Sequence, residues 1–121
     1  MSSEAISWAV REGMRLLPSR LIPVLMVIAD EANPYGEDAR PWVTDRRIRG
    51  EAVPRPGLAT LCGLKERRAR LYLAELEALG VIARGNQRLV DFLPANRRPV
   101  VWDIPGVRQA RIARSSGLLR E

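Results

Sequence analysis

Arginine is the residue type through which this 121-residue chain would do chemistry. Lys65 is its only lysine, the other 19 cations are Arg, and against 14 Asp and Glu they leave a formal net charge of +6. A GC-rich genome would by itself favour Arg codons, but it would not set their placement. Residues 1–45 carry four Arg against seven acids, a balance of −3, whereas residues 46–121 carry 16 cations against seven acids, a balance of +9. A basic two-thirds behind an acidic third is the footprint of a face meant for a polyanion. The densest cluster is Lys65, Arg67, Arg68 and Arg70; Arg84, Arg88, Arg97 and Arg98 follow, and Arg46, Arg47 and Arg49 precede it. A guanidinium pairs bidentately with guanine O6 and N7 or holds phosphate oxygens.

Other chemistries lack their residues. With no His, neither a Ser-His or Cys-His nucleophile nor an imidazole-dependent zinc site can form. The lone Cys62 rules out an intramolecular disulfide and any thiolate cluster. No acid-base pair or phosphate-binding glycine loop is visible, so the expectation is a protein without catalysis, cofactor or metal. The longest apolar run, residues 21–29, is interrupted by Pro23 and falls short of the ~18 residues that cross a bilayer. Glu4, Arg11 and Glu12 stand where a signal peptide would be uncharged, which predicts a cytoplasmic protein with no membrane association.

The elements that must position these arginines read as mainly α with a small β-hairpin. Ile6, Ala9, Val10, Gly13, Met14 and Leu17 recur at helical spacing and predict a helix over 5–17, with Ser2 or Ser3 as N-cap and Pro18 as its end. Ser19 would cap a second helix, with Pro23 in its first turn, running to about Ala32 and stopped by Asn33-Pro34-Tyr35-Gly36. Trp42-Val43-Thr44 suits a short strand, with Arg46, Arg47 and Arg49 on a loop after it. A short helix is predicted over 55–62, with Leu58, Leu61 and Cys62 on one side and Gly63 as left-handed terminator. A longer helix over 65–79 ends at Gly80. The β-rich runs 81–82, 89–92 and 100–104 suggest a hairpin with a loop at 93–98. Residues 1–104 would form the domain and 105–121 a basic tail.

Two helices joined by about three residues including Gly make a helix-turn-helix. At 100° per residue, Ala69, Tyr72, Leu73, Leu76 and Leu79 share an apolar arc on the second helix. The opposite arc carries Arg67, Arg70, Leu71 and Ala74, with Arg68 and Glu75 at its flank. Its N-terminal half is thus cationic, which suits a helix that reads base edges with that half. The bland alternative is a solvated arginine run. The three tryptophans, Trp8, Trp42 and Trp102, and Cys62 read as core, and the pairs Asp30/Glu31 and Glu75/Glu77 as solvated helix charges without basic partners.

The stretch 58–82, LATLCGLKERRARLYLAELEALGVI, resembles the winged helix-turn-helix family, whose pattern is "LA…CGLSxRTVxRxLxxLexLGxI". The matching residues are Leu58, Ala59, Cys62, Gly63, Leu64, Arg67, Leu73, Leu76, Leu79, Gly80 and Ile82. The resemblance covers about residues 5–104, although only 58–82 is specific. It implies a three-helix core with an extra N-terminal helix, a recognition helix over 65–79 in the major groove and a wing over 84–100 on the backbone or minor groove. By that resemblance Lys65, Arg67, Arg68, Arg70 and Leu71 would face DNA from the helix, and Arg84, Arg88, Arg97 and Arg98 from the wing. The sequence departs from the pattern in three places: Lys65 replaces a capping Ser or Thr, Leu71 holds a commonly polar position, and residues 45–53 look inserted.

These readings converge on a double-stranded DNA-binding protein, a small transcriptional regulator or a phage or plasmid factor, acting as a homodimer. Two alternatives stay open: a winged-helix module that docks on a protein through the tail, and a replication-initiator-like DNA-binding protein.

Overall fold

The structure is a computed structural model and describes residues 3–33, 41–50, 56–107 and 109. It is mostly helical, with a small antiparallel sheet of three strands among the described residues. Helix α1, Ser3–Arg11, has Glu4 in its first turn and Arg11 in its last, which suits the helix dipole. It buries Ala5, Trp8 and Ala9, one face of a 3.6-residue period, chiefly against α2. The α-helix stops short of the predicted Leu17. Gly13 opens a 3-10 turn, Gly13–Leu16, and lies so close beneath Trp8 and Leu25 that a Cβ there would overlap both. Tight packing of a poor helix former therefore ends α1 early. Ser3 already lies inside the helix, and Ser2 is outside the described residues.

A 3-10 turn at Ser19–Leu21 leads into α2, Ile22–Glu31, with Pro23 in the first turn as predicted. Ser19 makes no side-chain cap bond. Val24, Leu25, Ile28 and Ala29 are buried and Met26 and Val27 half-buried, so α2 is the axis on which α1 and the later helices pack. The predicted stop at 34–36 lies outside the described residues.

Strand β1, Trp42–Thr44, forms where expected, and Asn33 bridges to Trp42 ahead of it. The arginines after it are not on a loop. They belong to a one-turn helix, α3, Asp45–Ile48, because the Thr44 hydroxyl accepts the Arg47 N–H at 3.3 Å and Ile48 is driven into the core. Helix α4 is a single turn, Leu58–Leu61, shorter than the predicted 55–62. Gly57 before it is extended and abuts the Arg49 carbonyl, leaving no room for a Cβ. Of the residues expected on its inner side, Leu58 is buried and Cys62 half-buried, but Leu61 is exposed.

Gly63, at φ 65°, then reverses the chain into α5, Glu66–Ala78, and Gly80, at φ 76°, ends it, both in the left-handed region that glycine enters without strain. Val81 and Ile82 are not strand. Their N–H groups both go to the Leu76 carbonyl, at 3.0 and 3.4 Å, closing the helix end while their side chains fill the core. Strand β2 is accordingly Ala83–Arg84. The run 89–92 is not strand either. Asn86 accepts the Arg88 N–H at 3.0 Å and starts a 3-10 turn, Gln87–Val90. The Gln87 amide then exchanges two 3.0 Å bonds with the Val101 N–H and carbonyl, standing in for a strand backbone. The hairpin loop therefore spans 85–100 rather than 93–98.

Strand β3, Val101–Asp103, lies between β1 and β2, with Thr44 opposite Val101 and Ala83 opposite Asp103. Being central, it is buried on both faces, so the alternation seen in its sequence does not mark an inside and an outside. The chain turns helical again at 105–107, with Val107 fully buried and Gly106 against the Trp8 ring. The packed unit thus runs on past Ile104, into what the sequence assigns to a tail. Residues 108 and 110–121 lie outside the described residues.

Candidate nucleic-acid interface

Helix α5 is oriented from beneath. Ala69, Leu73 and Leu76 are buried, and Tyr72 packs partly against the core. Leu79, expected on the same arc, is 54% exposed, because it caps the helix end where the chain swings to Gly80. Arg20, ahead of α2, holds the outer end of α5 by an ion pair with Glu75, its guanidinium 6.0 Å from the Tyr72 ring centre. Glu75 is therefore not the unpartnered charge that the sequence suggests. Glu77 and Glu31 also have partners: Arg84 Nε lies 3.8 Å from Glu77, and Arg47 Nε bonds Glu31 at 2.9 Å.

The N-terminal half of α5 is different in kind. Lys65 occupies the N-cap position with extended backbone and makes no side-chain cap bond. Arg67, Arg68, Arg70 and Leu71 are exposed, Leu71 by 51%. Among the described residues no hydrogen bond or ion pair engages the Arg67, Arg68 or Arg70 side chain. Their guanidinium groups keep every donor available, whereas Arg20, Arg47 and Arg49 are committed to carboxylates.

The arginines expected on a wing divide. Arg84 is occupied, 5.4 Å above the Trp102 ring centre and near Glu77. Arg98 is structural: its Nε donates to the Leu93 carbonyl at 2.8 Å and an Nη to that of Asp91 at 3.1 Å, clasping the loop on either side of Phe92. Phe92 is 81% exposed. The exposed side chains of Arg88 and Arg97 have no such ties among the described residues.

Sequence reading did not find how α3 joins these two groups. An open cleft of about 500 Å³ has Asp45, Arg46 and Arg49 on one wall and Asn96, Arg97 and Arg98 on the other. Arg49 also borders a crevice with Ile48, Glu66 and Arg70. The α3 turn therefore sits between α5 and the return of the 85–100 loop, with Arg49 bordering both. The only sequence signal for this was the density of Arg in 46–49; the pairing with 96–98 depends on the β1–β3 register and the Asp45 N–H bond to the Val100 carbonyl at 2.8 Å.

Cys62 is half-buried, and burial pushes its thiol above the ordinary cysteine range, which makes it a poor nucleophile at neutral pH. Trp8 and Trp102 are buried and Trp42 half-buried, so none offers an open ring for base stacking. No group of three His, Cys, Asp or Glu side chains suited to a metal ion occurs among the described residues, and none of their helices is long and apolar enough to cross a membrane. Comparison with models of known protein families, with characterised proteins and with solved structures finds no match.

Proposed function

We propose that this chain is a double-stranded DNA-binding protein of winged helix-turn-helix type. It would act in the cytoplasm without catalysis, as a small transcriptional regulator or a phage or plasmid factor. The observation that carries the reading is the exposed set Arg67, Arg68 and Arg70, without partners among the described residues, with Arg67 and Arg70 on the side of α5 away from its buried Ala69, Leu73 and Leu76 and Arg68 at its flank, just after a glycine turn. A helix end so equipped suits the major groove, where arginine forks match guanine edges. The order of helices and strands and the β1-β3-β2 sheet agree with such a fold.

Affinity would come mainly from arginine-phosphate pairing with counterion release, and sequence preference from Arg67 and Arg70, with Leu71 against a thymine methyl. Selection from a random duplex library, followed by anisotropy titration of the selected and a random duplex, tests the reading. A tenfold or greater preference for the selected duplex supports it, and no duplex binding at physiological salt refutes it. A pseudo-palindromic site would call for a homodimer, and light scattering at tens of micromolar should then give twice the mass of one chain; a single-chain mass both free and on DNA would reject that assembly.

One observation favours docking on a protein instead: Leu71 presents half its surface to solvent amid the arginines. Duplex affinity that is indifferent to Arg67 and Arg70 would favour that alternative.

A further inference from the structure

Among the described residues, the lining of the cleft between α3 and the 85–100 loop carries more positive charge than it neutralises. Asp45 is the only carboxylate on that lining among the described residues, and the Arg49 guanidinium pairs with it. Arg98 is held by two neutral carbonyls and keeps its full charge. Arg46 and Arg97 face this space with no partner among the described residues. Cations gathered across an opening repel one another, and an anion between them relieves that repulsion. Volume narrows the choice of anion. About 500 Å³ lies within the range of small-ligand sites and exceeds what one inorganic anion would fill.

We propose that this cleft is a phosphate site that takes two neighbouring phosphate groups, one on Arg46 and one on Arg97, with Arg98 bordering both. Planar guanidinium groups are the side chains that match phosphate oxygens in pairs. Two sources share this chemistry: the backbone of a DNA strand flanking the bases under α5, and a free polyphosphate. The first rests on the reading of the chain as a duplex binder; the second does not. Arg49 borders both this cleft and the crevice beside Arg70, so an occupant would lie next to the recognition surface and a free polyphosphate would compete with DNA there.

The experiment uses the full chain, the double variant Arg46→Ala with Arg97→Ala, the charge-keeping Arg46→Lys with Arg97→Lys, and Arg67→Ala. Each is titrated with inorganic tripolyphosphate by calorimetry and with duplex DNA by anisotropy over a salt series. Both cleft residues are exposed and have no partner among the described residues, so circular dichroism should be unchanged. A free source gives saturable tripolyphosphate binding that the Ala pair abolishes and the Lys pair partly restores. A strand source gives no tripolyphosphate binding, but a duplex affinity that falls in the Ala pair together with a slope of log K against log salt shallower by about 1.8, two lost contacts at about 0.9 each. An Ala pair equal to the wild type on both ligands overturns the proposal. Duplex binding that is absent in the wild type, beside tripolyphosphate binding that depends on the cleft, would refute the DNA reading and leave the site standing. Loss of duplex affinity in Arg67→Ala alone would do the reverse.

Discussion

Side chains of one type take three different roles in this protein, and what surrounds each decides which. Arg20, Arg47 and Arg49 face carboxylates, Arg98 faces carbonyls, and Arg67, Arg68 and Arg70 face solvent. Substitution should separate these roles. Arg67→Ala or Arg70→Ala is expected to cost about 1–3 kcal/mol on a selected duplex and much less on a random one, because a bidentate base contact is lost only where the right base is present. Arg68→Ala, at the edge of the face, should weaken both duplexes alike. Paired titrations distinguish these results, and equal losses on the two duplexes for Arg67 and Arg70 would mean that α5 does not read sequence. Arg97 and Arg98 are adjacent in sequence, yet should differ as sharply. Arg97→Ala should leave the loop intact, whereas Arg98→Ala removes both bonds around Phe92 and should speed proteolysis and amide exchange across 91–98. Identical exchange in the two variants would contradict the clasp.

At the scale of elements, caps and turns set where each helix starts and stops. Thr44 caps α3 with its hydroxyl, but Lys65 stands at the same position of α5 and makes no such bond. Lys65→Ser should therefore stabilise the protein by about 1 kcal/mol in urea denaturation. If Lys65 also touches a phosphate, the same change would weaken duplex binding; unchanged stability would mean that the free N–H groups at the start of α5 are satisfied in another way. Helices α1, α2 and α5 were legible in the sequence because their information is local: on α5, Ala69, Leu73 and Leu76 repeat at helical spacing, and Gly63 and Gly80 mark the ends. The exposed, cationic side of α5 was legible for the same reason. The single turn α3 was not, because it rests on the Thr44 cap and the burial of Ile48. The runs 81–82 and 89–92 misled because β propensity records a half-buried extended fit, not its cause. Val81 and Ile82 are held by one helix carbonyl, and the 89–92 run is displaced by the Asn86 cap and the Gln87 amide. The basic cleft was illegible because its walls, 45–49 and 96–98, meet only through sheet register.

At the scale of the whole molecule, α2 and the central strand β3 bring distant segments together, and Trp8 marks where the early and late parts of the chain meet. Gly13 lies under one part of its ring and Gly106 under another, each with no space for a Cβ. Gly106→Ala should overpack this contact and cost about 1–3 kcal/mol of stability, with α5 and its duplex affinity unaltered under native conditions. Thermal unfolding measures the first and anisotropy the second, and an unchanged melting temperature would show that the ring has slack. The same contact has a consequence during biosynthesis. Roughly a hundred residues separate its two sides, so at about 5–20 residues per second the ribosome emits the indole on the order of 5–20 s before the segment that covers it. Helix α1 can settle on α2 meanwhile, but the part of the Trp8 ring that Gly106 covers stays bare until then. A chain broken off before Gly106 would never gain that cover, and would lack the buried Val107 as well.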